Sequence, residues 1–278
     1  MTADQPIGIF DSGVGGLSVL RPIQALFPNE QLLYFADQAH VPYGSRSLAE
    51  IRRYSEEITR FLLSEGAKIV VVACNTASAA ALNTLRKTLP QVHFVGMEPA
   101  VKPAALETRS GKVGVLATEN TFSSPRYAQL MSRFAQDVEV IENPCRGLVP
   151  LIESGYVAAT DTEALLRKVL DPMLASGVDT LVLGCTHYPF VRPLIERIIE
   201  ENATGARVTI IDPAPAVARQ MGRVLTRQQL LAPAGQRGSV RLFTSARSQS
   251  LADLSEQLLG KRLAVEEVIW RNNRLTSA

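Results

Sequence analysis

Two stretches of the chain set a cysteine in the same surroundings. Gly66-Ala67-Lys68-Ile69-Val70-Val71-Val72-Ala73-Cys74-Asn75-Thr76 is echoed by Gly177-Val178-Asp179-Thr180-Leu181-Val182-Leu183-Gly184-Cys185-Thr186-His187. In each, a glycine stands eight residues before the cysteine, an apolar run of strand type fills the gap, and polar residues follow. A core cysteine is a small hydrophobe with no need of such followers. At the carboxyl end of a parallel strand, where ligands gather, a thiol has another use. Helix N–H groups and the helix dipole favour its thiolate there, whereas an unperturbed thiol, with a pKa near ~8.5, is barely ionised at neutral pH. Paired thiols in equivalent places suit two-sided proton transfer. Inverting a stereocentre needs a base on one face and an acid on the other, so one cysteine is thiolate while its partner is thiol, and the roles exchange with direction.

Neighbouring groups must then assist the proton transfers and restrain the charge. Four polar clusters fall at strand ends: Asp11-Ser12, Cys74-Asn75-Thr76, Thr118 with Thr121, and Cys185-Thr186-His187. Asp11 and His187 are the adjacent assistants, with Glu153 in the Gly147–Gly155 segment a third. Taken singly, Asp11 reads equally as a helix cap and His187 as a satisfied polar residue. Gly13-Val14-Gly15-Gly16 lacks the spacing of a dinucleotide loop and has no Walker lysine. It reads either as a plain turn or as a close backbone approach to a small carboxylate at a helix start. Pro42-Tyr43-Gly44 reads as a loop after the second strand. Cys145 follows Asn143-Pro144, has no counterpart in the echo, and reads as a buried hydrophobe.

The elements that must position these groups alternate in type. Strand-like runs are predicted at Ile7–Phe10, Leu32–Phe35, Ile69–Ala73, His93–Gly96, Val113–Ala117, Val138–Ile141, Thr180–Leu183, Val208–Ile211, Val240–Phe243 and Val265–Ile269, with amphipathic segments between them. That pattern predicts α/β architecture with mostly parallel sheets. Capping boxes are predicted at Ser47–Glu50 and Thr160–Glu163, and a cap with a first-turn proline at Ser124-Pro125. A weaker echo relates Ile7–Ser12 to Val113–Thr118, in the same order as the cysteine echo; together they predict two similar halves.

Bulk composition narrows the classes. A net charge of +2 argues against a nucleic-acid or anionic-membrane surface, and Arg52-Arg53 reads as a solvated helix face. Residues 1–6 carry no basic segment followed by an apolar core, and no apolar stretch reaches the ~20 residues of a membrane helix. Three cysteines are too few and odd in number for a disulfide framework, so the cytoplasm is the expected compartment.

The motifs also carry a resemblance. Ile7-Gly8-Ile9-Phe10-Asp11-Ser12-Gly13-Val14-Gly15-Gly16-Leu17, Pro42-Tyr43-Gly44, Ala73-Cys74-Asn75-Thr76-Ala77-Ser78, Leu148–Gly155 and Leu183-Gly184-Cys185-Thr186-His187-Tyr188-Pro189 resemble, in order, the motifs of the bacterial glutamate racemases. The resemblance runs from about residue 6 to 270. It implies Cys74 and Cys185 as the acid/base pair, with Asp11 beside Cys74, and His187 and Glu153 beside Cys185. It implies a glutamate site lined by Asp11, Ser12, Tyr43, Gly44, Asn75, Thr76, Thr118, Thr121, Thr186 and His187. It further implies no pyridoxal phosphate, no other cofactor and no metal, and a product, D-glutamate, used in peptidoglycan synthesis. The implied fold is two pseudo-twofold-related α/β domains, 1–98 with 208–278 and 99–207, facing across an active-site cleft. No nucleic-acid or membrane partner is expected, and a homodimer is left open. Some members are activated by a cell-wall precursor through an extended N-terminus; with five residues before Pro6, no such control is expected here.

Rival readings remain at this stage. Aspartate racemases share the paired-cysteine design. A thiol hydrolase would use Cys185 and His187 but leave Cys74 unexplained. A zinc site from Cys74, Cys185, His187 and Asp11 has suitable ligand types without a short Cys-x-x-Cys pair. A non-catalytic amino-acid-binding protein also fits two domains around a cleft.

Overall fold

The computed structural model describes residues 1–202 and 207–277. The chain divides into two compact units, Met1–Met97 with Ala214–Ala278, and Glu98–Pro213. The first begins β1 (Ile7–Asp11), α1 (Leu17–Leu26), β2 (Gln31–Ala36), α2 (Leu48–Ser64), β3 (Ile69–Val72), α3 (Asn75–Thr88), β4 (Phe94–Val95). The second runs α4 (Val101–Glu107), β5 (Lys112–Leu116), α5 (Glu119–Phe122), α6 (Pro125–Phe134), β6 (Glu139–Asn143), α7 (Leu148–Glu153), α8 (Thr160–Ala175), β7 (Thr180–Leu183), α9 (Arg192–Glu201), β8 (Thr209–Ile211). The chain then returns to the first with α10 (Ala214–Gln228), β9 (Ser239–Thr244), α11 (Ser248–Leu259), β10 (Val265–Arg271) and β11 (Arg274–Ser277).

Among the described residues the strands form two sheets, ordered β11-β10-β9-β2-β1-β3-β4 and β6-β5-β7-β8. The first four strands of each unit therefore take one arrangement: second, first, third, fourth. β1 corresponds to β5 and β3 to β7, the pairs related by the two sequence echoes. All these neighbours pair in parallel. β1, β3 and β7 are buried along their whole length, as parallel strands covered on both faces by helices must be. Parallel pairing also brings the carboxyl ends of neighbouring strands to one edge of each sheet. At the opposite edge, Lys68 and Glu30 form a buried ion pair at 2.6 Å; Lys68 also donates to the Ala3 carbonyl, and Glu30 accepts the Ala232 N–H.

Helix starts follow local chemistry. Ser47 Oγ accepts the Glu50 N–H at 3.3 Å while Glu50 accepts the Ser47 N–H at 3.0 Å, a complete capping box for α2. Ser124 accepts the Tyr127 N–H at 3.1 Å, with Pro125 in the first turn of α6. The Thr160–Glu163 spacing predicts the same device, but α8 starts one residue earlier. Thr160 is already helical and the capping residue is Ala159, which has no side chain to offer. Strand pairing also moves the predicted crossover near Arg207. β8 pairs with β7, so this segment stays with the four-stranded sheet and the second unit extends to Pro213. β11, absent from the predicted strands, pairs antiparallel with β10 across Asn272 and Asn273, both at positive φ. Among the described residues no helix is long and apolar enough to cross a membrane.

Candidate active site

In the first unit, β2, β1 and β3 end side by side. β1 ends at buried Asp11, whose Oδ1 accepts the Gly13 N–H at 2.9 Å and the Ser12 hydroxyl at 3.4 Å. The chain then turns through Gly13–Gly16 into α1. A Cβ on Gly16 would lie 2.7 Å from Asp11 Cβ and 2.9 Å from the Tyr34 hydroxyl, so a side chain has no room there. Tyr34, fully buried on β2, donates to the Gly13 carbonyl at 2.6 Å and fixes the turn. The continuous apolar run of β2, buried from Leu32 to Ala36, gives no sign of that polar contact, and sequence reasoning missed it.

β3 delivers Cys74 as the N-cap of α3, its sulfur accepting the Ala77 N–H at 3.4 Å. Negative charge on sulfur is favoured at that place by the helix N-terminus. The thiol also reaches Ser12 Oγ at 3.8 Å, which links it to Asp11. Asn75 and Thr76 are buried beside it, and neither amide atom of Asn75 has a hydrogen-bond partner among the described residues. Leaving a buried polar group unpaired costs about 1–3 kcal/mol, which a polar ligand pairing with it would recover.

Tyr43 opens a single turn of 3-10 helix, Tyr43–Ser45, that packs against α3. Its hydroxyl donates to Asp37 Oδ2 at 2.6 Å. Burial, and then the Asp37 charge, hold this phenol well above its usual range, so it stays neutral. With the ring committed inward to Asp37, what Tyr43 offers a ligand is its backbone, next to half-buried Gly44.

In the second unit, β6, β5 and β7 end side by side. β7 leads through Gly184 to Cys185, Thr186 and His187, all three buried. A Cβ on Gly184 would sit 2.8 Å from the Leu116 carbonyl oxygen, so glycine permits the tight approach to β5. Cys185 does not cap an α-helix as Cys74 does. Cys185–His187 form a turn into a 3-10 segment, Tyr188–Val191, with Pro189 in its first turn. Support for a thiolate here comes from His187, whose Nδ1 lies 3.7 Å from Cys185 Sγ. His187 Nε2 lies 2.6 Å from Glu153 Oε1, at the end of α7. A carboxylate only accepts, so Nε2 carries the proton and Nδ1 faces the thiol. Burial alone would lower the His187 pKa, but the bonds to Cys185 and Glu153 outweigh it and raise it well above its ordinary value. On the neighbouring strand end, Thr118 caps α5 by accepting the Thr121 N–H at 3.4 Å, and the two hydroxyls lie 3.0 Å apart.

The structure thus gathers Asp11, Ser12, Tyr43, Gly44, Cys74, Asn75 and Thr76 at the strand ends of one unit. It gathers Thr118, Thr121, Glu153, Cys185, Thr186 and His187 at those of the other. Each cluster holds one thiol, Cys185 beside His187 and Cys74 linked to Asp11 through the Ser12 hydroxyl. Asp37 was missed by sequence reasoning, although it stands directly after β2 as the other strand-end polar groups stand after theirs.

With this architecture in view, the family is shown: a family model described as Asp/Glu/Hydantoin racemase matches residues 7–221, and the chain belongs to that family. Within it, the chain is similar to the glutamate racemase of Pseudomonas paraeruginosa, 53% identical over 260 residues, covering 94% of this chain and 96% of that protein. Among solved structures it is similar to a glutamate racemase isoform of Bacillus anthracis, with a TM-score of 0.84, 31% identity, and coverage of 97% and 98% of the two chains. The glutamate racemase of Francisella tularensis in complex with D-glutamate gives a TM-score of 0.81 at 29% identity, again covering 97% and 98%.

Proposed function

We propose that this chain is a glutamate racemase that interconverts L- and D-glutamate without cofactor or metal, Cys74 and Cys185 serving opposite faces of the α-carbon. One thiolate takes the α-proton; the C–H bonding pair stays on the α-carbon and spreads into the adjoining carboxylate. The other thiol then delivers its proton to the opposite face, and the former base is left protonated. The single observation that carries this reading is the repetition of a thiol after the third strand of each unit, in two units whose first four strands share one order. The partners differ in kind. Cys74 has a helix N-terminus and the Ser12–Asp11 pair, while Cys185 has the His187–Glu153 pair. A hydrolase would employ one of these thiols and leave the other idle. Glutamate is favoured over aspartate by the 53% identity to a glutamate racemase across nearly the full chain. D-glutamate made this way would feed peptidoglycan synthesis in the cytoplasm.

Polarimetry tests the substrate. Purified protein with no added cofactor should take the rotation of L-glutamate to zero and leave that of L-aspartate unchanged. Activity on aspartate alone would move the enzyme to the sister specificity, and constant rotation of both would end the racemase reading.

A further inference from the structure

Asp37 is fully buried and is not among the groups that the mechanism uses. Its carboxylate accepts from four side chains. Oδ2 takes the Tyr43 hydroxyl at 2.6 Å and His40 Nδ1 at 2.9 Å; Oδ1 takes the Ser245 hydroxyl at 2.7 Å and the Trp270 indole N–H at 2.8 Å. Its backbone N–H donates to the Asp11 carbonyl at 3.0 Å, so it is also tied to the end of β1. A buried carboxylate keeps its charge only when well hydrogen-bonded, and bonds to an ionised acceptor are the strong kind. Aromatic packing reinforces the arrangement. The His40 ring stacks on Tyr54 at 3.9 Å, and Trp270 meets both rings edge-on at 5.1 and 5.5 Å.

Two of the four donors lie after residue 221, where the family model ends. Ser245 follows β9, and Trp270 lies on β10. Ser245 Oγ also accepts the Ala39 N–H at 3.0 Å, holding the start of the loop that carries Tyr43. These contacts all lie within one unit.

We propose that Asp37 is a positioning residue of the substrate site, and that Ser245 and Trp270 of the returning segment set it, holding the Tyr43-Gly44 turn in its glutamate-binding place. The inference rests on the proposed binding role of Tyr43 and Gly44. It makes the returning strands part of the binding apparatus as well as of the sheet.

Trp270→Phe keeps an aromatic ring against Tyr54 and His40 and deletes one donor to Asp37. Steady-state racemisation should show KM rising roughly 3- to 10-fold with kcat kept within about twofold, the pattern of binding lost equally from ground and transition states. Ser245→Ala, a smaller change, should shift KM in the same direction. In Trp270→Phe/Tyr43→Phe the KM increase should fall short of the product of the single effects, because both act through one carboxylate. A purely structural role would instead reduce kcat with the folded fraction, followed by far-ultraviolet circular dichroism, at constant KM. That result, or fully multiplicative effects, would overturn the inference. Isothermal titration calorimetry measures glutamate binding in wild type and Ser245→Ala whether or not turnover occurs. Equal affinities would overturn the inference alone, whereas a wild type that binds glutamate without racemising it would fail the racemase reading and leave the affinity comparison decisive.

Discussion

Burial works against a charged imidazole, yet two hydrogen bonds reverse its effect at His187. Cys185 and Glu153 together raise its pKa well above the ordinary value, so the ring holds its charge to higher pH than a free imidazole and loses it as pH climbs through that raised value. In the proposed mechanism the role of His187 is to return a proton to the Cys185 sulfur, 3.7 Å from its Nδ1. Glu153→Gln removes one of the two supports, so the alkaline limb of the kcat/KM profile should move to lower pH. An unmoved limb would take His187 out of the account of Cys185. The third thiol behaves oppositely. Burial first, then the nearby Cys185, push Cys145 up to about 12, despite a bond with Tyr188 that acts the other way. It remains a thiol at any working pH, as suits a small buried hydrophobe.

At the scale of elements, the loop entering β5 depends on one carboxylate. Asp179 accepts the Thr108 hydroxyl at 2.6 Å and the Arg109 and Ser110 N–H groups at 2.7 Å. Partial burial raises its pKa, but these bonds and one from Thr180 outweigh that and lower it to about 2. A group depressed on folding stabilises above its unfolded pKa, near ~3.9, and ceases to as pH falls through its folded value. The Tm difference between wild type and Asp179→Asn should therefore be constant down to about pH 5 and narrow toward pH 2; a pH-independent difference would refute the linkage. The same scale shows what a sequence makes legible. Buried parallel strands announce themselves by apolar runs, and all ten predicted strands are present within a residue or two. β11 was hidden because its short run alternates weakly, although the Asn272-Asn273 pair suits a tight hairpin turn. The cysteines were legible through their repeated context. That one caps a helix and the other faces a histidine was not, because Pro189 and the turn at Cys185 change the local geometry without disturbing the motif. Asp37 was illegible for another reason: its four donors are spread from His40 to Trp270, and no local pattern joins them.

At the scale of the molecule, two units whose first four strands share one order each place a thiol after the third strand, and the chemistry proposed requires both. Enantiomers have equal free energy in water, so the equilibrium constant is unity and kcat/KM must be the same in both directions. Loss of either thiol should therefore lower both directions by one factor, about 10²–10⁴-fold for a lost acid/base group. The most direct test follows the α-proton signal and rotation of L-glutamate in D2O with the purified protein and no cofactor, for wild type, Cys74→Ser and Cys185→Ser. The account predicts that wild type takes rotation to zero as deuterium fills the α-position of both enantiomers, and that neither serine variant racemises at a comparable rate. Racemisation that survives replacement of either cysteine, or an α-proton left in place by folded wild-type protein, would contradict it.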